Sequence, residues 1–435
     1  MRVAFINPNI SNRRSRDAMQ PLAFAVLQSL TPPDVETVLL DERIEDVDTR
    51  FPCDAVAISV QSFTARRAYE IAAGFRARGI PVVLGGHHPT LLPQEAAEYC
   101  DSVAVGEGER CWPNIIRDLL RGALKARYEP DDSLPRDVIP DRSIFAGKGY
   151  SMLRPIQFGR GCRYSCDFCS VNTLYGPTPY QRSIQSVMEE IDTIQSRYLL
   201  FVDDNILLNF NDTMELFATL KHKRRKWACQ ISIDSAFNPD MVESMADAGC
   251  IAVFVGLESL NPDNLEEIGK ISNLKYQDYG EAIRRFKKRG IMFCGSFVFG
   301  YENDTVETIE SSYAFATKTR MCIAHFNTLF PMPGTVLYDR LEREERLRFD
   351  RWWLDPNFRF GQGMFYPRRI SAADLGKTCY RMRRRFNSVA NILYRLTDRC
   401  ANSRNLANTG VFIAANLISR KEIMRKQHIK LGADR

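Results

Sequence analysis

Gly161-Cys162-Arg163-Tyr164-Ser165-Cys166-Asp167-Phe168-Cys169 sets three thiols on one short loop, spaced CxxxCxxC, with an aromatic residue just before the last cysteine. A structural zinc site or an electron-transfer iron-sulfur centre normally takes four protein ligands. Three thiolates with no fourth cysteine nearby point instead to an iron-sulfur cluster that keeps one iron open for a small ligand. Cys162, Cys166 and Cys169 are therefore the expected metal ligands. The competing readings are zinc completed by a distant His or Cys, and three thiols that only pack.

Working outward, the chain of 435 residues is long enough for two or three domains. Its 45% hydrophobic and 26% charged residues are ordinary globular usage. No apolar run approaches the roughly 20 residues that span a bilayer. The start, Met1-Arg2-Val3-Ala4-Phe5-Ile6-Asn7-Pro8-Asn9, is a short strand-like run without the apolar core of a signal peptide. The other nine of the twelve cysteines lie singly, mostly in apolar segments, as reduced thiols do. These features place the protein in the cytoplasm. Charge is uneven: residues 341–435 hold 21 Lys and Arg against 9 Asp and Glu, whereas the rest of the chain holds 38 against 44. A basic appendage follows an acidic body.

The fold class expected is α/β. Residues 1–128 alternate apolar runs at Val3–Ile6, Thr37–Leu40, Ala55–Val60, Pro81–Leu84 and Ser102–Val105 with helical patterns, which predicts a doubly wound, Rossmann-like sheet covered on both faces. Residues 129–150, with Pro130, Pro135 and Pro140, read as a linker. Residues 151–340 carry six further strand patterns, the first five each followed by a helical one, as in a partial (β/α)6 TIM-like barrel whose ligands gather at the strand C-termini. The cysteine loop follows the first of these strands. Residues 341–435 read as a basic helical region.

Chemistry-bearing residues recur at the predicted strand ends. In the second domain these are Asp203 and Asp204, Ser232 and Asp234, Glu258, and Gly300, the last before a helix capped by Asn303 or Asp304. Each type also serves as a turn former or cap. In the first domain the strand-end loops carry Asn7 and Asn9; Ser59, Gln61, Ser62 and Thr64; Gly85, Gly86, His87, His88 and Thr90; and Gly106, Glu107 and Gly108. Glycine-rich, small polar loops let a nucleotide tail approach the backbone closely. A nicotinamide site is disfavoured because no GxGxxG follows the first strand.

The cysteine loop resembles that of the radical S-adenosylmethionine (SAM) enzymes. The resemblance implies a 4Fe-4S cluster on Cys162, Cys166 and Cys169, with SAM chelated at the open iron, Phe168 near the adenine, and one-electron cleavage to a 5′-deoxyadenosyl radical. The glycine-glycine-glutamate signature of some branches is absent, and Asp203 with Asp204 is expected to replace it. A glycine-rich domain ahead of such a barrel is similar to the cobalamin-binding branch, the group of hopanoid methylases and the anaerobic tetrapyrrole cyclase, across roughly residues 1–340. That implies cobalamin in the first domain and transfer of a methyl group to an unactivated carbon of a lipid or secondary metabolite, with an electron donor such as flavodoxin or ferredoxin. The DxHxxG motif that supplies a cobalt ligand elsewhere is missing: His87 and His88 are expected to meet the nucleotide tail, and the other readings are that one of them replaces the missing ligand or that cobalt carries water or no protein ligand. Cyclisation or oxidation without net methyl transfer is the alternative within enzymes.

The C-terminal region leaves several readings open. Trp352, Trp353, Phe358, Phe360, Phe365 and Tyr366 are expected to pack between the barrel and the terminal helices; lining a pocket for a large apolar substrate and stacking nucleobases are the other two readings. Nucleic acid is not the expected partner. Arg381, Arg383, Arg384 and Arg385 read as a solvated helix face, with peripheral membrane contact as the functional alternative.

Overall fold

The computed structural model describes residues 1–432 apart from 12, 16, 177 and 178. Six strands build the first sheet: β1 (Arg2–Asn7), β2 (Glu36–Asp41), β3 (Ala55–Ser59), β4 (Val82–Gly85), β5 (Ser102–Ala104) and the short β6 (Arg127–Tyr128). They lie in the order β2-β1-β3-β4-β5-β6, all parallel. The unbroken apolar run of β1 is explained by this burial. Val3 and Phe5 pack with Phe24 and Trp112 on one face, while Ala4 and Ile6 pack with Ile58, Tyr69 and Phe75 on the other. β6 was not expected, because two residues carry no periodicity.

The cysteine loop lies between two short strands. β7 (Arg154–Ile156) opens the second sheet, and β8 (Gly159–Arg160) pairs antiparallel with β9 (Tyr180–Gln181). The excursion from Gly161 to Pro179 between these paired strands holds all three cysteines. The second sheet continues with β10 (Tyr198–Phe201), β11 (Lys226–Gln230), β12 (Cys250–Glu258), β13 (Met292–Phe299) and β14 (Ile323–Thr328). Sheet order follows chain order from β7 through β10 to β14, all parallel, as right-handed crossovers of a partial barrel require. Phe293 and Phe297 of β13 face the crossover helices, while Met292 and Cys294 face the opposite side.

The C-terminal region departs from expectation in two ways. Helix Val336–Arg343 is followed by a non-helical stretch, and helices resume only at Ala372–Phe386, Val389–Leu396 and Leu406–Lys426. Trp352, Trp353 and Phe358 pack into the core of the first sheet rather than between barrel and terminal helices. Trp352 donates to the carbonyl of Pro331 at 2.9 Å, and Trp353 donates to both oxygens of Glu95 at 2.9 and 3.1 Å. Trp352, Trp353, Phe358 and Phe365 are buried as expected, whereas Tyr366 is exposed, and the partner surface was not foretold. The aromatic stretch ties the end of the chain to its beginning.

Candidate active site at the strand ends of both sheets

The loop around the cysteines is held by backbone bonds rather than by regular structure. Cys169 N–H donates to Cys166 C=O at 3.1 Å, and Asp167 C=O accepts from Leu337 N–H at 3.1 Å. Cys166 is buried and its thiol is pushed up to about 11, chiefly by burial. Cys162 and Cys169 are partly exposed. Among the described residues no three His, Cys, Asp or Glu side chains converge where one metal ion would sit. Three thiols on one loop suit a polynuclear cluster in which each binds its own iron.

The acidic residues at the ends of β10 face inward. Asp203, almost fully buried, accepts from Phe158 N–H at 3.2 Å and from Gly159 N–H, and burial pushes its carboxyl up to about 7. Asp204 accepts from Gly161 N–H at 3.0 Å. Both carboxylates thus brace the entry to the cysteine loop, Asp203 through both oxygens and Asp204 through one. Ser232 is buried beside Asn205 and Arg163, and Asp234 pairs with Arg163, the exposed residue after Cys162.

Glu258 has φ 61°, a left-handed conformation uncommon outside glycine, at a bulge where β12 shifts register against β13. A side chain at Gly256 would overlap its carboxylate. Lys270, which the sequence reading missed, pairs with Glu258 at 3.1 Å, and its charge also acts on Cys166 and Cys169. A non-glycine residue held in this region costs on the order of 1–3 kcal/mol. The bulge aims a carboxylate and its ammonium partner at the cysteine loop.

Two further expectations change. Gly300 has φ 126°, and a side chain there would meet the ring of Phe365 at 2.8 Å, so its freedom serves packing against the C-terminal stretch. The helix Val306–Lys318 is capped by Thr305 with Thr308, neither of the predicted residues, while the buried Asp304 accepts from Gly300 and Tyr301 N–H at 2.8 and 3.0 Å. Phe168 lies edge-on to Tyr301, 6.5 Å between centroids, against the cluster of Leu265, Ile268 and Leu337.

At the first sheet the strand ends enclose space. A cavity of about 300 Å³ is lined by Ser59, Gln61, Gly85, Gly86, His87, Thr90, Gly106, Glu107 and Gly108. Its apolar floor includes Leu22, Leu27, Ala57, Val83 and Trp112. Gly86 has φ 99°, and a side chain would come within 3.0 Å of the Val60 backbone. Thr90 links two of the glycine loops, donating to Gly86 C=O at 2.8 Å and accepting from Gly106 N–H at 2.9 Å. A second cavity of about 380 Å³ opens beside it, sharing Ser59 and Gln61 and lined also by Asn7, Asn9 and Thr64. An apolar cavity ringed by backbone suits a flat heterocycle such as the nucleotide end of a corrinoid.

His88 and Ser62 lie off both cavities. The His88 ring is wholly buried, 3.1 Å from Ser62 Oγ on one side and 3.1 Å from Glu95 on the other. Glu95 also accepts from Tyr69 at 3.0 Å and from Trp353. Although burial pushes the Glu95 carboxyl up, its hydrogen bonds with His88, Trp353 and Tyr69 hold it below the usual range. His88 is therefore part of the tie to the C-terminal stretch. His87 remains at the cavity, 3.4 Å from the Tyr175 hydroxyl, and burial and Arg160 lower its basicity.

The cavity wall facing the second domain was invisible to sequence reasoning. Gln157, Arg160, Leu174, Tyr175 and Val202 complete it. Arg160 pairs with Glu109 and lies 3.5 Å from Glu107, so a guanidinium two residues before Cys162 locks the cysteine loop to the first domain. The Phe158-Gly159-Arg160-Gly161 run carried the one available signal, a long cation between two glycines. Tyr175 carried none.

Comparison with known proteins agrees with this construction. Residues 156–316 match the Radical SAM superfamily and residues 26–116 the B12 binding domain. Bacteriochlorophyllide d C-12(1)-methyltransferase of Chlorobaculum tepidum is 30% identical over 396 residues, covering 88% of this chain and 86% of that protein. Hopanoid C-2 methylase of Rhodopseudomonas palustris is 26% identical, over 76% of this chain and 64% of that one. In fold, the chain resembles the cobalamin-dependent SAM radical enzyme OxsB, solved with aqua-cobalamin and SAM bound, with a TM-score of 0.68 at 15% identity over 97% of this chain and 71% of that chain. With three thiols on a loop at the barrel mouth and a glycine-ringed cavity facing it, the chain belongs to the cobalamin-binding radical SAM enzymes.

Proposed function

We propose that this enzyme methylates an unactivated carbon of a large apolar metabolite or lipid. One observation carries the reading: the cavity in the first domain is walled on its far side by Arg160 and Tyr175, on the segment that bears the cysteines. A methyl carrier bound there would lie next to the radical source. When bound, the cluster with SAM supplies the hydrogen-abstracting radical and cobalamin supplies the methyl group.

The chain's own residues position and shield. Cys162, Cys166 and Cys169 hold the cluster; Asp203 and Asp204 fix the backbone on which they stand. Glu258 and Lys270 present a carboxylate and an ammonium for the polar ends of SAM, and Phe168 offers an apolar surface for its adenine. Ser59, Gln61, Gly85, Gly86, His87, Thr90, Gly106, Glu107 and Gly108 receive the corrinoid tail, with Asn7, Asn9 and Thr64 beside it. No protein acid or base is needed, because the hydrogen leaves as an atom. The nine cysteines outside the cluster loop are free thiols, which supports a reducing compartment and hence the cytoplasm. Electrons are assigned to a small one-electron donor such as flavodoxin or ferredoxin.

The test is anaerobic reconstitution with iron, sulfide and hydroxocobalamin, followed by SAM, a reductant and candidate substrates including bacteriochlorophyllide d and hopanoids. Methylation predicts S-adenosylhomocysteine and 5′-deoxyadenosine in equal amounts with a product heavier by one methylene. Deoxyadenosine without stoichiometric S-adenosylhomocysteine would replace the proposal with oxidation or cyclisation.

A further inference from the structure

The helix Leu406–Lys426 buries one face and exposes an apolar stripe on another. Asn408, Phe412 and Asn416 form its buried side, where Phe412 packs with Ala228, Ala252, Met292 and Cys294 on the sheet face away from the crossover helices. On the other side Leu406, Ile413, Leu417 and Met424 recur at steps of seven, four and seven residues, one stripe along the whole helix. Their exposures are 93%, 38%, 48% and 49%. Ile418 lies on its flank, and the neighbouring helix Val389–Leu396 adds exposed Val389 and Leu393. Single exposed leucines need no explanation; a stripe the length of a 21-residue helix does.

Charge identifies what covers it. From Arg381 to Lys430 the chain carries twelve Lys and Arg against two acids, Asp398 and Glu422. Some of these cations are structural. Arg395 is wholly buried on the carbonyls of Met321, Cys322 and Phe386, and Arg425 and Lys426 pair with Glu422. Among the described residues Arg384, Arg399, Arg404 and Lys421 have no carboxylate within ion-pair distance. An aliphatic stripe set in uncompensated positive charge fits an anionic, apolar partner. A second copy of the chain would bring the same positive charge to the contact, and nucleic acid offers nothing to exposed aliphatic side chains.

We propose that the C-terminal helices dock the enzyme on an anionic phospholipid surface, with Leu406, Ile413, Leu417 and Met424 entering the interface and Arg399, Arg404 and Lys421 meeting the headgroups. No helix among the described residues is long and apolar enough to cross a membrane, so the contact is peripheral. The inference does not depend on which carbon is methylated.

Sedimentation of the full chain with vesicles tests it independently of turnover. Equimolar phosphatidylglycerol and phosphatidylcholine vesicles should carry the protein down, with partition falling several-fold between low and physiological salt, and pure phosphatidylcholine should not. Leu406→Glu with Leu417→Glu should lower partition at least about tenfold, as should Arg404→Glu with Lys421→Glu, while both proteins keep the wild-type melting temperature and reconstituted cluster absorbance. No sedimentation with phosphatidylglycerol vesicles overturns the proposal. So does a concentration-dependent dimer that Leu417→Glu dissolves without vesicle binding, or salt-sensitive RNA binding in place of vesicle binding.

Discussion

The two sheets share an architecture and use their strand ends in opposite ways. At the first, glycines and small polar residues leave a void, and even Thr90 and Glu107, which bond within the protein, do so around its rim. At the second, Asp203, Asp204 and Asp304 turn onto backbone amides, and the Glu258–Lys270 pair is left beside the cysteine loop. Parallel strands all point their C-terminal ends the same way, so polar residues collect there in both cases. The contrast teaches that a polar residue at a strand end marks the active face without revealing whether it meets a ligand or the fold itself. A buried carboxylate near free amides satisfies them first; a glycine cannot.

The comparison breaks most completely at the cysteines. Cys162→Ala, Cys166→Ala or Cys169→Ala should abolish the cluster absorbance near 400 nm and reduce deoxyadenosine formation to background, with cobalamin binding retained. Retained cluster absorbance in Cys162→Ala would exclude the assigned ligand set. At the first sheet, Ala104→Phe fills the cavity from its wall and should weaken cobalamin retention on gel filtration by at least about tenfold, leaving the cluster spectrum intact.

Asp203 sharpens the contrast because both of its carboxylate oxygens are held by backbone amides. Asp203→Ala removes the acceptor from two buried amides and should cost about 2–4 kcal/mol in denaturant unfolding, lowering cluster content without touching cobalamin binding. Its carboxyl has a pKa of about 7 in the folded protein against an ordinary value of 3.8. The folded state then holds a proton that the unfolded chain releases, so this group's contribution to stability falls as pH rises from about 4 to about 7. Asp203→Asn should flatten that part of the stability profile.

The smallest effect concerns the tie between first sheet and C-terminal stretch. Glu95→Gln keeps the shape but weakens the charged bonds to His88, Trp353 and Tyr69, and should cost about 1–2 kcal/mol. The Glu95 carboxyl is held below the usual range, so its contribution is present at neutral pH and lost as pH falls through the folded pKa. Thermal melts of wild type and variant should therefore converge in acid.

Much of the architecture was legible because it rests on local pattern. The apolar runs at Val3–Ile6 and Ala55–Val60, the glycine loops at Gly85-Gly86 and Gly106, and the CxxxCxxC spacing are each patterns contained within a few consecutive residues. His88 and His87 show where legibility stops. They are adjacent and alike in sequence, yet one is wholly buried between Ser62 and Glu95 and the other faces the cavity, because successive residues at a helix start point in different directions. Gly300 was recognised as a position needing freedom, but Phe365, more than sixty residues later, decided what the freedom is for.

The sequence by itself determined the family and its frame: a loop of three thiols spaced CxxxCxxC, two parallel α/β domains, and a glycine-rich cavity face. These follow from residue type and short-range periodicity, which survive without knowledge of contacts. Only the tertiary structure decided that Asp203 braces the cysteine loop, that Arg160 joins that loop to the first domain, that Trp353 is anchored on Glu95, and that Leu406–Lys426 leaves an apolar stripe facing water. Each of those outcomes is a pairing, or the lack of one, between residues far apart in the chain, and the free energy of a buried polar or apolar group depends on what finally stands beside it.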